Sequence, residues 1–69
     1  MSLNPYERAI LSVLLNSRRS LTTGEIAERS RISWNTAEKY LKYLMERGWV
    51  KRSQWGSRYY WKAIVKHRY

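Results

Sequence analysis

The stretch from Thr22 to Val50, TTGEIAERSRISWNTAEKYLKYLMERGWV, restricts the possible folds of this chain more than any other. It predicts two short helices with a tight turn between them. Thr22 is an N-cap with Glu25 three residues on, the pairing of a capping box. Ile26 and Ala27 are expected to face inward, and this helix ends near Ser30. Ser33 caps the next helix, where Ala37, Leu41 and Leu44 make a buried stripe flanked by Tyr40 and Met45. Gly48 falls just past its last turn, where a left-handed residue is expected. Helices joined this closely must cross at close range. Ala27 and Ala37 are small where they cross, and Ile32 fills the corner between them.

The flanking segments complete the plan. Asn4-Pro5 predicts an earlier helix, with asparagine as N-cap, proline first in the helix and Glu7 reaching back as in a capping box. Tyr6, Ile10, Val13 and Leu14 are its expected inward face, and the polar run 16–20 stops it. Leu21-Thr22 reads as a very short extended segment. After Gly48, residues 49–54 and 58–65 are rich in β-forming types, and Trp55-Gly56-Ser57 reads as the hairpin tip. The order is helix, helix, helix, hairpin: a mainly α chain with a small β-hairpin. No repeat or linker interrupts it. A single domain over residues 1–69 is expected, with its core about 5–65 and a basic tail at 66–69.

Composition narrows the partners. The chain has 69 residues, no cysteine, one histidine and no aspartate, so neither a disulfide nor a structural metal site is expected and no cofactor is implied. The formal charge is +9. Residues 1–35 carry five basic and three acidic groups, and residues 36–69 nine and two, so the net charge of the two halves is +2 and +7. No acidic residue follows Glu46. Such a one-sided field attracts a polyanion, most commonly nucleic acid, with a membrane surface as the rival. The longest apolar run, Ala9 to Leu15, is broken by Ser12 and far short of the ~20 residues needed to span a bilayer. No secretory signal or lipidation motif is visible, so a cytoplasmic location is the default. Catalysis lacks support: there is no Ser/His/Asp or Cys/His set, no glycine-rich phosphate loop and no paired-carboxylate signature.

The pattern T-x-x-E-I-A, then I-S, then T-A-x-x-x-L-x-x-L, then G-W-V resembles the winged helix-turn-helix family of DNA-binding proteins. With the hairpin, the resemblance covers about residues 5–65. It implies three helices plus a two- or three-stranded wing. It also implies double-stranded DNA as partner, with helix 3 (about 34–47) in the major groove and the wing (about 49–65) on the backbone or minor groove. Many such motifs have glycine in the turn, where this chain has Ser30-Arg31. The ending W-K-A-I-V is similar to the wing of the branch that binds left-handed DNA. That branch has asparagine and tyrosine where helix 3 here has Glu38 and Lys42, so left-handed specificity is not expected.

With the stripe of helix 3 turned inward, Asn35, Lys39 and Lys42 point outward, beside Glu38 and Tyr43. Ser33, Trp34 and Thr36 form the first turn, the part that usually approaches base edges. Asn35 can pair with adenine through two hydrogen bonds; Lys39 and Lys42 suit guanine or phosphate. Arg31 in the turn is expected to meet phosphate, and Ser57 and Arg58 at the wing tip the DNA backbone or minor groove. The wing is basic on both arms, with Lys51 and the DNA-binding candidate Arg52 on one and Arg58 and Lys62 on the other. Each reading has a plainer counterpart. Lys39 and Lys42 could be an ordinary exposed helix face, and Tyr43 could simply cover the helix. Trp34 is as well explained by partial burial. Trp55 divides evenly between nucleic-acid contact and packing. Trp49 and Trp61 are expected to pack in the core or hairpin, Arg18 and Arg19 to form a solvated loop, and His67 to be solvated.

The leading expectation is a DNA-binding transcriptional regulator, with a homodimer allowed for. Three alternatives remain open: a winged helix used for protein–protein contact within a larger assembly, an architectural protein that coats DNA without specificity, and an RNA binder.

Overall fold

The structure, a computed structural model, describes residues 3–64; the predicted strand end at Val65 and the basic tail at 66–69 lie outside them. Three helices and three strands follow in the order α1 (Pro5–Leu15), β1 (Leu21–Thr22), α2 (Thr23–Ser30), α3 (Trp34–Glu46), β2 (Val50–Trp55) and β3 (Arg58–Ala63). This is the predicted winged helix-turn-helix, with the wing in its three-stranded form.

Each helix begins where its cap predicts. Asn4 Oδ1 accepts from the Glu7 amide at 2.8 Å while Glu7 Oε1 accepts from the Asn4 amide at 3.0 Å, closing the first capping box. Thr22 and Glu25 close the second in the same way. Ser33 Oγ accepts from the Thr36 amide at 3.2 Å, capping α3. Two helices end alike. At the end of α3, Gly48 has a φ of 82°, its amide donates to Met45 O, and the next amide, Trp49, donates back to Leu44 O. This Schellman motif satisfies carbonyls that the helix leaves open. At the end of α2 the same two bonds run from Arg31 to Glu28 O and from Ile32 to Ala27 O, but the left-handed residue is Arg31, at φ 59°.

The sheet order is β1-β3-β2, antiparallel throughout, with Leu21 opposite Trp61 and Val50 opposite Ala63. One face of this sheet and the three helices enclose the core: Ile10, Leu11, Leu14, Leu21, Ile26, Ala27, Ala37, Leu41, Leu44, Val50, Trp61 and Ala63. Each fully buried aliphatic side chain there contributes roughly 2 kcal/mol. Trp61 is the largest of the buried side chains, and its Nε1–H donates to Thr23 Oγ1 at 2.8 Å, so the indole is buried without an unpaired donor. In β2 only Val50 is buried, so the ribbon leaves the core after one residue and projects into solvent.

Four expectations are corrected. In α1 the inward face is Glu7, Ile10, Leu11 and Leu14; Tyr6 is 48% exposed and stacks on Tyr40, with ring centroids 5.3 Å apart. Trp55 ends β2 opposite Arg58, leaving Gly56-Ser57 as a two-residue turn. Gly56 takes φ 59°, the positive value that a II′ hairpin turn requires at its first central position. Trp49 is 44% exposed, at the rim of a groove with Leu3, Leu11 and Leu15. Arg19 is engaged by Glu25 rather than merely solvated.

Candidate nucleic-acid interface

Helix α3 presents the face that its periodicity predicts. Ala37, Leu41 and Leu44 are buried, while Asn35, Lys39 and Lys42 are exposed. Asn35 stands on the first turn, one helical turn before Lys39. Lys42 Nζ lies 3.9 Å from Glu38 Oε2, a loose pair that leaves the ammonium available to a stronger anion. Ser33 Oγ also donates to Thr36 Oγ1 at 2.8 Å, so both hydroxyls are committed to holding the first turn. Tyr43 meets Tyr40 edge-on at 5.8 Å, and Lys39 Nζ sits 5.3 Å from the Tyr40 ring. Tyr6, Tyr40 and Tyr43 thus form an aromatic row along one flank of α3, which gives Tyr43 a structural partner that sequence reading did not supply.

The other flank of α3 meets the wing. Trp34, half exposed, shares an open cleft of about 250 Å³ with Thr22, Thr23 and Gly24 at the start of α2 and with Ser57, Arg58 and Tyr59 of the wing. A Cβ on Gly24 would meet Trp34 Cδ1 at 4.0 Å, ordinary van der Waals contact, so the indole lies close to the start of α2 without requiring a glycine there. Trp34, Ser57 and Arg58, from two distant parts of the chain, therefore border one space. Arg52, on the core side of β2, lies over Tyr59 at 4.4 Å and Trp61 at 5.6 Å. These rings restrict a long side chain that would otherwise lose rotamer freedom on meeting a ligand. Arg31 is exposed in the turn just before α3. Trp55 lies on the opposite side of the ribbon from Arg52 and Gln54, with Arg58 as its direct cross-strand neighbour.

Two ion pairs frame the interface, and neither was foreseen. Arg19 Nη2 donates to Glu25 Oε2 at 2.9 Å. That bond, with the Thr22 amide and hydroxyl, holds the Glu25 carboxyl down at about 2 and raises Arg19. Glu7, only 2% exposed, faces Arg47 Nη2 across 3.1 Å. The approach is ionic rather than a well-directed hydrogen bond; the Nη1 contact to Oε1 is longer, at 3.5 Å. No local sequence signal links residues 7 and 47. The capping spacing of Glu7 was legible, but its long-range partner was not.

A tight helix pair, an exposed basic face on its second helix and a β-ribbon beside that helix define the winged-helix class of transcriptional regulators. Within it, the chain belongs to the TrmB family: the profile described as "Sugar-specific transcriptional regulator TrmB" matches residues 1–66. No curated protein matches the chain. Among solved structures, a possible transcriptional regulator from Methanosarcina mazei Go1 is similar with TM-score 0.83 and 21% identity over 93% of this chain and 58% of its own. Lactococcus lactis ZitR, in complex with DNA, gives TM-score 0.78 and 27% identity over 93% of this chain and 44% of its own. Human N-acetylserotonin methyltransferase, in complex with SAM, gives 0.77 and 17% identity, over 86% of this chain but 17% of its own. The likenesses to the Methanosarcina mazei protein and to the methyltransferase are of fold alone. The chain spans only part of each of these three proteins. Among the described residues, no helix is long and apolar enough to cross a membrane.

Proposed function

We propose that this chain acts by binding double-stranded DNA as a transcriptional regulator, without catalysis, with α3 in the major groove and the wing on the adjacent backbone or minor groove. The observation that carries the reading is the cleft shared by Trp34 at the start of α3 and Ser57-Arg58 at the wing turn. It makes the exposed side of α3 and the ribbon parts of one cationic surface. Family membership and the DNA complex of ZitR support the same reading.

In this reading Asn35 reads a base edge through two hydrogen bonds, and Lys39 and Lys42 reach guanine or phosphate. Arg31, Arg52 and Arg58 bind phosphate, Ser57 and the first-turn residues Ser33 and Thr36 approach the backbone, and Trp34 and Tyr43 bound the groove on either side. Phosphate contacts supply much of the affinity, and α3 supplies the readout. Selection from a random duplex pool tests this. A defined motif should emerge, and its symmetry reports whether one chain or two read it. Asn35→Ala should weaken binding to the selected site about 5- to 100-fold. Its binding to random duplex should change little. Equal losses on both duplexes, or a pool with no enriched motif, would refute the readout.

A further inference from the structure

Apart from Arg58, which borders both surfaces, the face of the sheet turned away from the helices takes no part in the duplex reading above, yet it has a composition of its own. Strand alternation puts Lys51, Ser53 and Trp55 of β2 on it, opposite Lys62, Tyr60 and Arg58 of β3 respectively, with Thr22 of β1 beyond Tyr60. Three features are unexplained by folding. Trp55 is 75% exposed, although an indole is among the costliest groups to leave in water. Lys51 and Lys62 sit directly opposite each other, a like-charged pair that destabilises a sheet. Neither β2 nor β3 carries a carboxylate to offset them. Trp55, Tyr60, Ser53 and Ser20 line an open slot of about 350 Å³ on this face. At its margin Lys62 Nζ donates to Arg18 O at 3.4 Å, which holds the ammonium beside the slot. The nearby carboxylate of Glu25 is already taken by Arg19.

We propose that this outer face is a second nucleic-acid site, a stacking platform for unpaired bases of a single strand. Rings standing on a sheet offer stacking surfaces that only an unstacked base can use; a duplex presents groove edges and phosphates instead. From Lys51 to Trp55 the face runs about 13 Å, enough for two bases, one against Trp55 and one against Tyr60. The serine hydroxyls can bond base edges in the slot, while Arg58 at one end and Lys51 and Lys62 at the other take the flanking phosphates. The charge complementarity selects a polyanion, and the aromatic slot selects its bases. Stacking does not use the ribose hydroxyl, so deoxythymidine and uridine strands should bind alike. The site shares only Arg58 with the duplex reading and uses none of the residues that read base edges, so the test below rests on Trp55 and not on Arg58.

The test is fluorescence anisotropy at low salt with a labelled deoxythymidine 12-mer, a uridine 12-mer and an abasic deoxyribose-phosphate strand of equal length. The wild-type chain should bind both base-bearing strands and hold the abasic one at least tenfold more weakly. Trp55→Ala should weaken binding of the base-bearing strands about 5- to 100-fold. Trp55→Phe, which keeps a stacking ring, should stay within about threefold of wild type. Circular dichroism checks that both variants fold. Equal affinity for the abasic strand, or a Trp55→Ala variant that binds like wild type, would overturn the proposal, since charge alone would then explain the binding. Failure to select a duplex motif would leave these results unaffected, so the two readings fail separately.

Discussion

Glu7 serves two ends of the fold with one side chain. Oε1 closes the α1 cap, and the carboxylate meets Arg47 at the C-terminal end of α3, forty residues away. A buried carboxylate left unpaired costs far more than its ion pair contributes. Arg47→Met should therefore destabilise the chain by about 2 kcal/mol, below the 3–5 kcal/mol typical of fully buried pairs because the arginine is 35% exposed. Adding Glu7→Gln should recover part of the loss, since glutamine still closes a capping box. Urea unfolding of the two variants checks this; an Arg47→Met midpoint equal to wild type would show the pair to be idle. At this scale the sequence was legible only where the partner is near. The caps at Asn4, Thr22 and Ser33 follow from three-residue spacings. The pairs Glu7–Arg47 and Trp61–Thr23 join distant positions that nothing local connects. Tyr6 was misread because aromatic and aliphatic residues score alike in a helical period; Leu11, four residues after Glu7 and three before Leu14, takes the buried position.

The turn between α2 and α3 adopts a left-handed conformation with an arginine where glycine is usual. The two Schellman bonds from Arg31 and Ile32 impose φ 59° on Arg31, at a cost of roughly 1 kcal/mol for a residue with a Cβ. Arg31→Gly removes that strain, partly offset by the greater freedom of glycine in the unfolded chain, and should raise stability by about 0.5 kcal/mol. Arg31→Ala keeps the strain and should not. If the side chain meets phosphate, both variants should lose duplex affinity to the same extent. Thermal melts and duplex titrations of the pair separate backbone from charge. Affinity kept by both would remove Arg31 from the interface, and a less stable Arg31→Gly would refute the strain. The sequence marked Ser30-Arg31 as a turn without glycine, but the conformation depends on the carbonyls of Glu28 and Ala27, three and four positions before Arg31. The hairpin was legible for a related reason and only in part. Gly56 marks the turn, but Tyr59, Tyr60 and Trp61 are all aromatic, so no alternation told one face from the other. Burial of Trp61 and Ala63 settles it.

For the whole molecule, the question is whether the +9 charge acts as a diffuse cloud or through a shaped surface. A coating protein would use any exposed cation. The surface proposed here uses five: Arg31, Lys39, Lys42, Arg52 and Arg58. Neutralising five phosphates gives a slope of log K against log salt of about −4.5, and each cation removed should reduce it by about 0.9. Lys39→Ala and Arg58→Ala, from α3 and the wing turn, should each flatten the slope by that amount. Arg8→Ala should not, because Arg8 is exposed on α1 in the groove with Leu11, Leu15 and Trp49. A diffuse field predicts three equal, smaller changes. Anisotropy on one duplex from 50 to 300 mM salt distinguishes the cases. The comparison also tests the one long-range feature that composition did predict, the split between the +2 and +7 halves. Arg31 belongs to the first half in sequence, but folding places it immediately before α3. The proposed surface divides the charge by position, with the α2–α3 turn, α3 and the wing on the duplex side and α1 outside it.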